Sequence, residues 1–274
     1  MTLQELQGST GIEGDVIAIL EQTEALTGKP IEFVQDDSLW ILASVRVARA
    51  FMPVHVIRFR KADPMVLAHL IAHECGHVQR IFAAPPDKRL APVTKAKHSD
   101  RAIRLLTADP CVTFDTMDEQ HARELLALYH QGMVIQVVNL NVDYRIESWL
   151  YREYPGLRPN QEKSIGLQVQ ISVAGLTPET KRATPHLVYE GSNAMNYAFL
   201  RSVGTMLGQN LVRDYTDSSI LTLGNRLAAV LEEPDTGFDG DVRESNQWAA
   251  LLGIGDWFDW QAFEDVPESY LSSI

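Results

Sequence analysis

The sequence predicts a mainly helical α+β fold, with a small sheet next to one long apolar helix. Three features point there. Long segments repeat apolar residues at helical spacing between recognisable caps. Val54-His55-Val56-Ile57-Arg58-Phe59-Arg60 is rich in branched and aromatic residues, as strands are. That strand leads straight into Asp63-Pro64, an N-cap followed by a proline at the first helical position.

Taken in order, residues 14–27 place Val16, Ile19, Leu20 and Leu26 at helical spacing, and Gly28-Lys29-Pro30 ends that helix. Ile31 to Val34 reads as a short strand, and residues 39–50 fit strand or helix equally. From Pro64 the run PMVLAHLIAHECGHVQRIFAA is long enough for about five turns and has no internal proline. Ala84-Pro85-Pro86-Asp87 is a turn, and 87–101 reads as an exposed loop. Asp109-Pro110 and Asp115 bound another connection. A long helix is expected from near Asp118 to the stop at Tyr154-Pro155-Gly156. Residues 161–176 read as helical, Thr184-Pro185 opens a helix to about Leu207, and 217–232 form another. Gly237 to Asp241 reads as a loop, with short helices at 245–252 and 257–263.

The 274 residues suit one domain, with 156–274 as a helical C-terminal lobe, and 45% apolar content suffices for a sizeable core. No run approaches the roughly 20 apolar residues of a membrane span. The first twenty residues lack the pattern of an export signal, so a cytoplasmic location is expected. Cys75 and Cys111 are then expected as reduced thiols. A net charge of −12 argues against nucleic acid as the main partner. Residues 231–274 carry most of it, with eleven acids and one base, Arg243. The basic stretch containing Arg80, Lys88, Arg89, Lys95, Lys97 and Arg101 could face that acidic segment, although a solvated face is the commoner outcome.

His73-Glu74-Cys75-Gly76-His77 reads H-E-x-x-H. Residues four apart on a helix share a face, so both imidazoles can reach one metal ion, with Glu74 beside it as a general base. The surrounding Leu67, Leu70, Ile71, Cys75 and Val78 make this helix at least half buried, and buried imidazoles need partners. His69 lies roughly 12 Å along the axis from His77, too far for all three histidines to share one ion; it could support the site or be an outer ligand, but reads more readily as an ordinary helix residue. Gly76 is costly inside a helix, which suggests close approach of another backbone segment, or else that the cost is simply tolerated. Cys75 points away from the histidines and reads as core.

A catalytic zinc needs a third protein ligand and an open position. Asp143 and Glu147 are four apart on the apolar later part of the long helix, and both offer oxygen that zinc accepts. Two acids at this spacing can also be surface residues or salt-bridge partners of Arg145 or Arg152.

With these residues the chain resembles the zincin superfamily of zinc metallopeptidases, in the gluzincin-like arrangement. In that group a second helix supplies an acidic ligand, and an acid four residues on supports a zinc-binding histidine. The usual form is E-x-x-x-D, whereas this chain has Asp143-x-x-x-Glu147. The Asn141-x-Asp143-x-x-Ile146-Glu147 string also resembles a segment of some poorly characterised metallopeptidases. Position for position, the resemblance makes Asp143 the ligand and Glu147 the support, while the longer reach of Glu147 keeps it as the alternative. It covers the two helices and the strand before the first, not residues 156–274.

The expected function is therefore hydrolysis of peptide bonds in a peptide or protein substrate. Zn2+ would be held by His73, His77 and Asp143 or Glu147, with Glu74 as general base. The alternative is a non-catalytic zinc-bearing protein in a regulatory or phage-related setting. In zinc peptidases an exposed sheet edge commonly lies along the cleft, so the strand at 54–60 is expected as an edge that could bind extended peptide. Arg58 and Arg60, on one face of it, could meet substrate but read more readily as a solvated strand face. His186, Tyr189 and Tyr197 are candidates for stabilising an oxyanion but read more readily as packing or surface residues. The Asp235–Asp241 stretch reads as a solvated loop, and the string holding Trp257, Phe258, Trp260 and Phe263 as core.

Overall fold

A computed structural model of the chain describes residues 14–109, 111, 113 and 117–267. Pro110, Asp115 and the end of the C-terminal aromatic string, from Glu268 on, lie outside them. The fold is mainly helical, with two small sheets.

The N-terminal part packs helix α1 (Asp15–Thr27) and helix α2 (Pro64–Ala83) near a three-stranded sheet. The strands are β1 (Ile31–Gln35), β2 (Ala43–Arg46) and β3 (His55–Phe59), in spatial order β1-β3-β2. β1 runs parallel to β3, with Ile31 opposite His55, and β2 runs antiparallel to it, with Ala43 opposite Phe59. β3 is therefore the central strand. The expected sheet edge at 54–60 is corrected: both sides of that strand are paired, and the edge that lines the cleft is β2, within the segment that periodicity left undecided.

As the sequence predicts, α2 starts at Asp63, whose carboxylate accepts from the Met65 N–H. Apolar side chains of α2 (Leu67, Ile71, Cys75) join Ile19, Phe33, Ile57 and Ile146 in one core. The long helix α4 (Glu119–Glu153) is capped by Asp118 and ends at Tyr154, as its proline and glycine imply. Its earlier turns contribute to a second core, in which Met133, Val137 and Leu140 meet helices α7 (His186–Leu207), α8 (Ser218–Leu231) and α9 (Phe238–Leu252). Between these run α5 (Arg158–Ala174) and the short α6 (Pro178–Ala183). α4 thus joins the two cores.

The region after α2 is not the expected loop. It contains β4 (Leu90–Val93) and helix α3 (Ala96–Thr107). α3 buries only His98, Ala102 and Leu106, so its many charged residues disguise it. The short helix expected at 257–263 is instead strand β5 (Asp259–Ala262), paired antiparallel with β4 so that Val93 opposes Asp259. The aromatic string is core, with Trp257, Phe258 and Phe263 buried. The loop expected at 237–241 is the first turn of α9, entered through Gly237 at φ +73°. Asp239 and Asp241 fall in that first turn, where the helix dipole favours acids. Neither are Asp235 and Asp241 both solvated: each meets the Arg80 guanidinium, at 2.9 and 2.5 Å, and Asp241 is buried. Further along, Lys97 and Arg101 reach Asp259 and Asp256 at 2.9 Å, so part of the basic stretch does meet the acidic C-terminal segment.

Candidate metal centre

The site lies where α2 crosses α4. Two residue ladders at four-residue spacing face each other there: His69, His73 and His77 on α2, and Asp143 and Glu147 on α4. The pairing runs in opposite senses along the two helices. His69 meets Glu147, His73 meets Glu147 and Asp143, and His77 meets Asp143.

The outer rungs open toward solvent. His73 Nε2 and His77 Nε2 each stand 3.2 Å from Asp143 Oδ1. Zinc–nitrogen and zinc–oxygen bonds of about 2.0–2.2 Å set tetrahedral neighbours roughly 3.3 Å apart, so this spacing fits a shared zinc ion. His73, His77 and Asp143 form a group that could hold a metal, and it has three members among the described residues. They are 12%, 20% and 18% exposed, at the wall of a cleft of about 340 Å³.

The inner rungs are closed. Glu147 is 2% exposed, with Oε1 at 2.8 Å from His73 Nδ1 and Oε2 at 3.0 Å from His69 Nε2. Gln161 on α5 donates from Nε2 to the Glu147 carboxylate and, at 2.9 Å, to its backbone carbonyl. His69, His73 and Glu147 could also gather round a metal. That arrangement uses His73 Nδ1, and both Glu147 oxygens already accept hydrogen bonds. His69 is not an ordinary helix residue, contrary to the sequence reading. The histidine ladder on one helix and the acid ladder on the other were the available signal, and Gln161 carried none.

Electrostatics follow from this packing. Burial alone would depress the His73 pKa, but hydrogen bonds and charge from Asp143 and Glu147 raise it well above the ordinary value. Burial pushes the Asp143 and Glu147 carboxyls up. Hydrogen bonds from His73 and His77 reverse this for Asp143, and the charge and hydrogen bond of His69 help reverse it for Glu147. Glu74 ends raised: its burial outweighs the nearby His77 and His73 charges.

Glu74 lines the cleft one residue beyond His73 and accepts a hydrogen bond from the Val45 backbone N–H on edge strand β2. Arg60 N–H donates to Leu42 O, which makes that pair a hydrogen-bonded rung of the β2–β3 ladder. In the alternating antiparallel pattern Ser44 and Arg46 then turn their backbone groups toward β3, and Ala43 and Val45 turn theirs outward. The opposite wall comes from α9 (Phe238, Val242, Ser245) and the β4–β5 sheet (Pro92, Trp260). Trp40, 73% exposed, stands at the mouth. Of the other sequence candidates, Tyr189 and Tyr197 are buried in the C-terminal core, and His186 is exposed beside Glu190. Arg58 and Arg60 are not among the cleft residues. Cys75 and Cys111 are free thiols, Cys75 fully buried.

Compared with known proteins, the chain matches no family model, no curated protein and no solved structure. No helix among the described residues is long and apolar enough to cross a membrane.

Proposed function

We propose that the protein is a zinc-dependent metallopeptidase of zincin type, with His73, His77 and Asp143 as the metal ligands. The observation that carries this reading is the pair of 3.2 Å separations from Asp143 Oδ1 to the two Nε2 atoms, beside Glu74 in an open cleft. Glu147 is assigned the supporting role. Its buried carboxylate faces His73 Nδ1, which would leave Nε2 to hold the metal.

Bound zinc would lower the pKa of a water and polarise the scissile carbonyl. Glu74 takes a proton from that water and passes it to the leaving amine. Burial raises its pKa, the direction that suits a base that must later act as an acid. The Val45 N–H keeps its carboxylate on the β2 side of the cleft. The other outward backbone groups of β2, on Ala43 and at the Val45 carbonyl, can pair with an extended peptide as an added strand. A three-member ligand group leaves one tetrahedral position for substrate, which favours catalysis over a closed structural site.

The test is metal analysis joined to hydrolysis of a mixed pool of quenched fluorescent peptides. Wild type is expected to carry about one equivalent of zinc, as a site with one ligand set does. His73→Ala and Asp143→Ala are expected to lose both metal and activity. Zinc lost with Glu147→Ala but retained with Asp143→Ala would overturn the ligand assignment. Zinc without cleavage of any peptide would overturn the peptidase reading.

A further inference from the structure

We propose that His69 and Gln161 are positioning residues for the metal site: together they clamp Glu147 so that it holds His73 in its ligating orientation. This rests on the metal-site reading above and names side chains outside its ligand set.

Glu147 is buried where three helices meet, and donors from two of them converge on its carboxylate. Oε1 faces His73 Nδ1, while Oε2 takes both His69 Nε2 and Gln161 Nε2. The bond to the Glu147 backbone carbonyl fixes the Gln161 amide, since both of its partners are acceptors. A carboxylate held on Oε2 alone could turn about its last torsion only by giving up two buried hydrogen bonds. Oε1 is thereby kept at His73 Nδ1.

A packing role explains neither side chain. His69 is 2% exposed and Gln161 1%. Each uses one polar atom on Glu147 and leaves the other, His69 Nδ1 or Gln161 Oε1, buried with no hydrogen-bond partner among the described residues. An unsatisfied buried polar atom is costly, and an apolar side chain would avoid it in this setting. The one gain common to both residues is the bond to Glu147.

The experiment measures zinc affinity by chelator competition for wild type, His69→Leu, Gln161→Leu and His69→Gln. Urea unfolding of the metal-free proteins checks that each folds. Gln161→Met, which keeps the length and removes the amide, replaces Gln161→Leu if that variant does not fold. The donor-less variants are expected to bind zinc about 10–100-fold more weakly, the usual cost of losing support behind a ligating histidine. Their cobalt-substituted forms should have an altered visible spectrum, and His69→Gln, which retains a donor, should recover part of the affinity. Folded donor-less variants that bind zinc within about twofold of wild type overturn the positioning role alone. A wild type that takes up no zinc overturns the metal-site reading itself.

Discussion

A Cβ placed on Gly76 would stand 2.6 Å from Cγ2 of Ile146, closer than real Cβ atoms come to a neighbour. Gly76 therefore sets how near α2 lies to α4, and so whether the two ladders meet. The sequence suggested close approach of another backbone at this glycine, but the approaching group is a side chain. Gly76→Ala would gain about 1 kcal/mol in helix propensity but lose about 1–3 kcal/mol to overpacking. Net destabilisation is expected, with weaker zinc binding because His77 is moved off Asp143. Ile146→Ala removes the clashing methyl, so the double variant should lose less stability than the two single losses combined. Additive losses in urea unfolding would show that the crossing is not set here.

Glu74→Gln keeps the size of the side chain and removes its basicity. It is expected to retain zinc and to lower the turnover of cleavable peptides by about 10²–10⁴-fold, the usual share of general acid–base catalysis. Normal turnover with full metal content would exclude Glu74 as the base.

Arg145 and Glu244 form a buried ion pair that ties α4 to α9, with Nη2 at 2.6 Å from Oε1. Burial pushes the Glu244 carboxyl up even with Arg145 beside it. Arg145→Met leaves that carboxylate unpaired and is expected to cost about 3–5 kcal/mol. Arg145→Met with Glu244→Leu removes both charges and should recover most of the loss. A double variant as unstable as the single one in denaturant unfolding would place the cost in packing.

His55 supplies the pH dependence. It is fully buried in β3, its Nδ1 accepts the Ala48 N–H at 2.9 Å, and burial depresses its pKa from 6.5 to about 4. The folded state therefore resists a proton that the unfolded chain accepts. The stability due to neutral His55 is fully present above pH 6.5 and is lost as the pH falls toward 4. A shift of this size corresponds to up to about 3 kcal/mol. Unfolding free energies of wild type and His55→Gln, measured from pH 8 to pH 4, should have a difference that changes across that interval. A constant difference would mean that His55 titrates alike in both states.

Much of this was legible in the chain. Helix caps and stops fixed α2 and α4 nearly to the residue, because a helix satisfies its hydrogen bonds within a few positions. The i, i+4 spacing likewise named His73, His77, Asp143 and Glu147, since residues on one helical turn share a face. The stretch at 237–241 was misread because its acids look solvated until Arg80, more than 150 residues away, is placed against them. The strand at 259–262 was misread because its partner β4 lies some 170 residues earlier, and neither strand has a strong pattern of its own.

By itself, then, the sequence determined the long helices α2 and α4, their facing residues and a short set of candidate ligands, all properties of local backbone geometry. Only the tertiary structure decided that β2 and not β3 is the sheet edge at the cleft, and that His69 and Gln161 enclose Glu147. It also decided that Asp143, not Glu147, stands between the two Nε2 atoms. Those outcomes depend on which buried surfaces and unpaired polar groups meet across the chain, and no residue's near neighbours in sequence specify that.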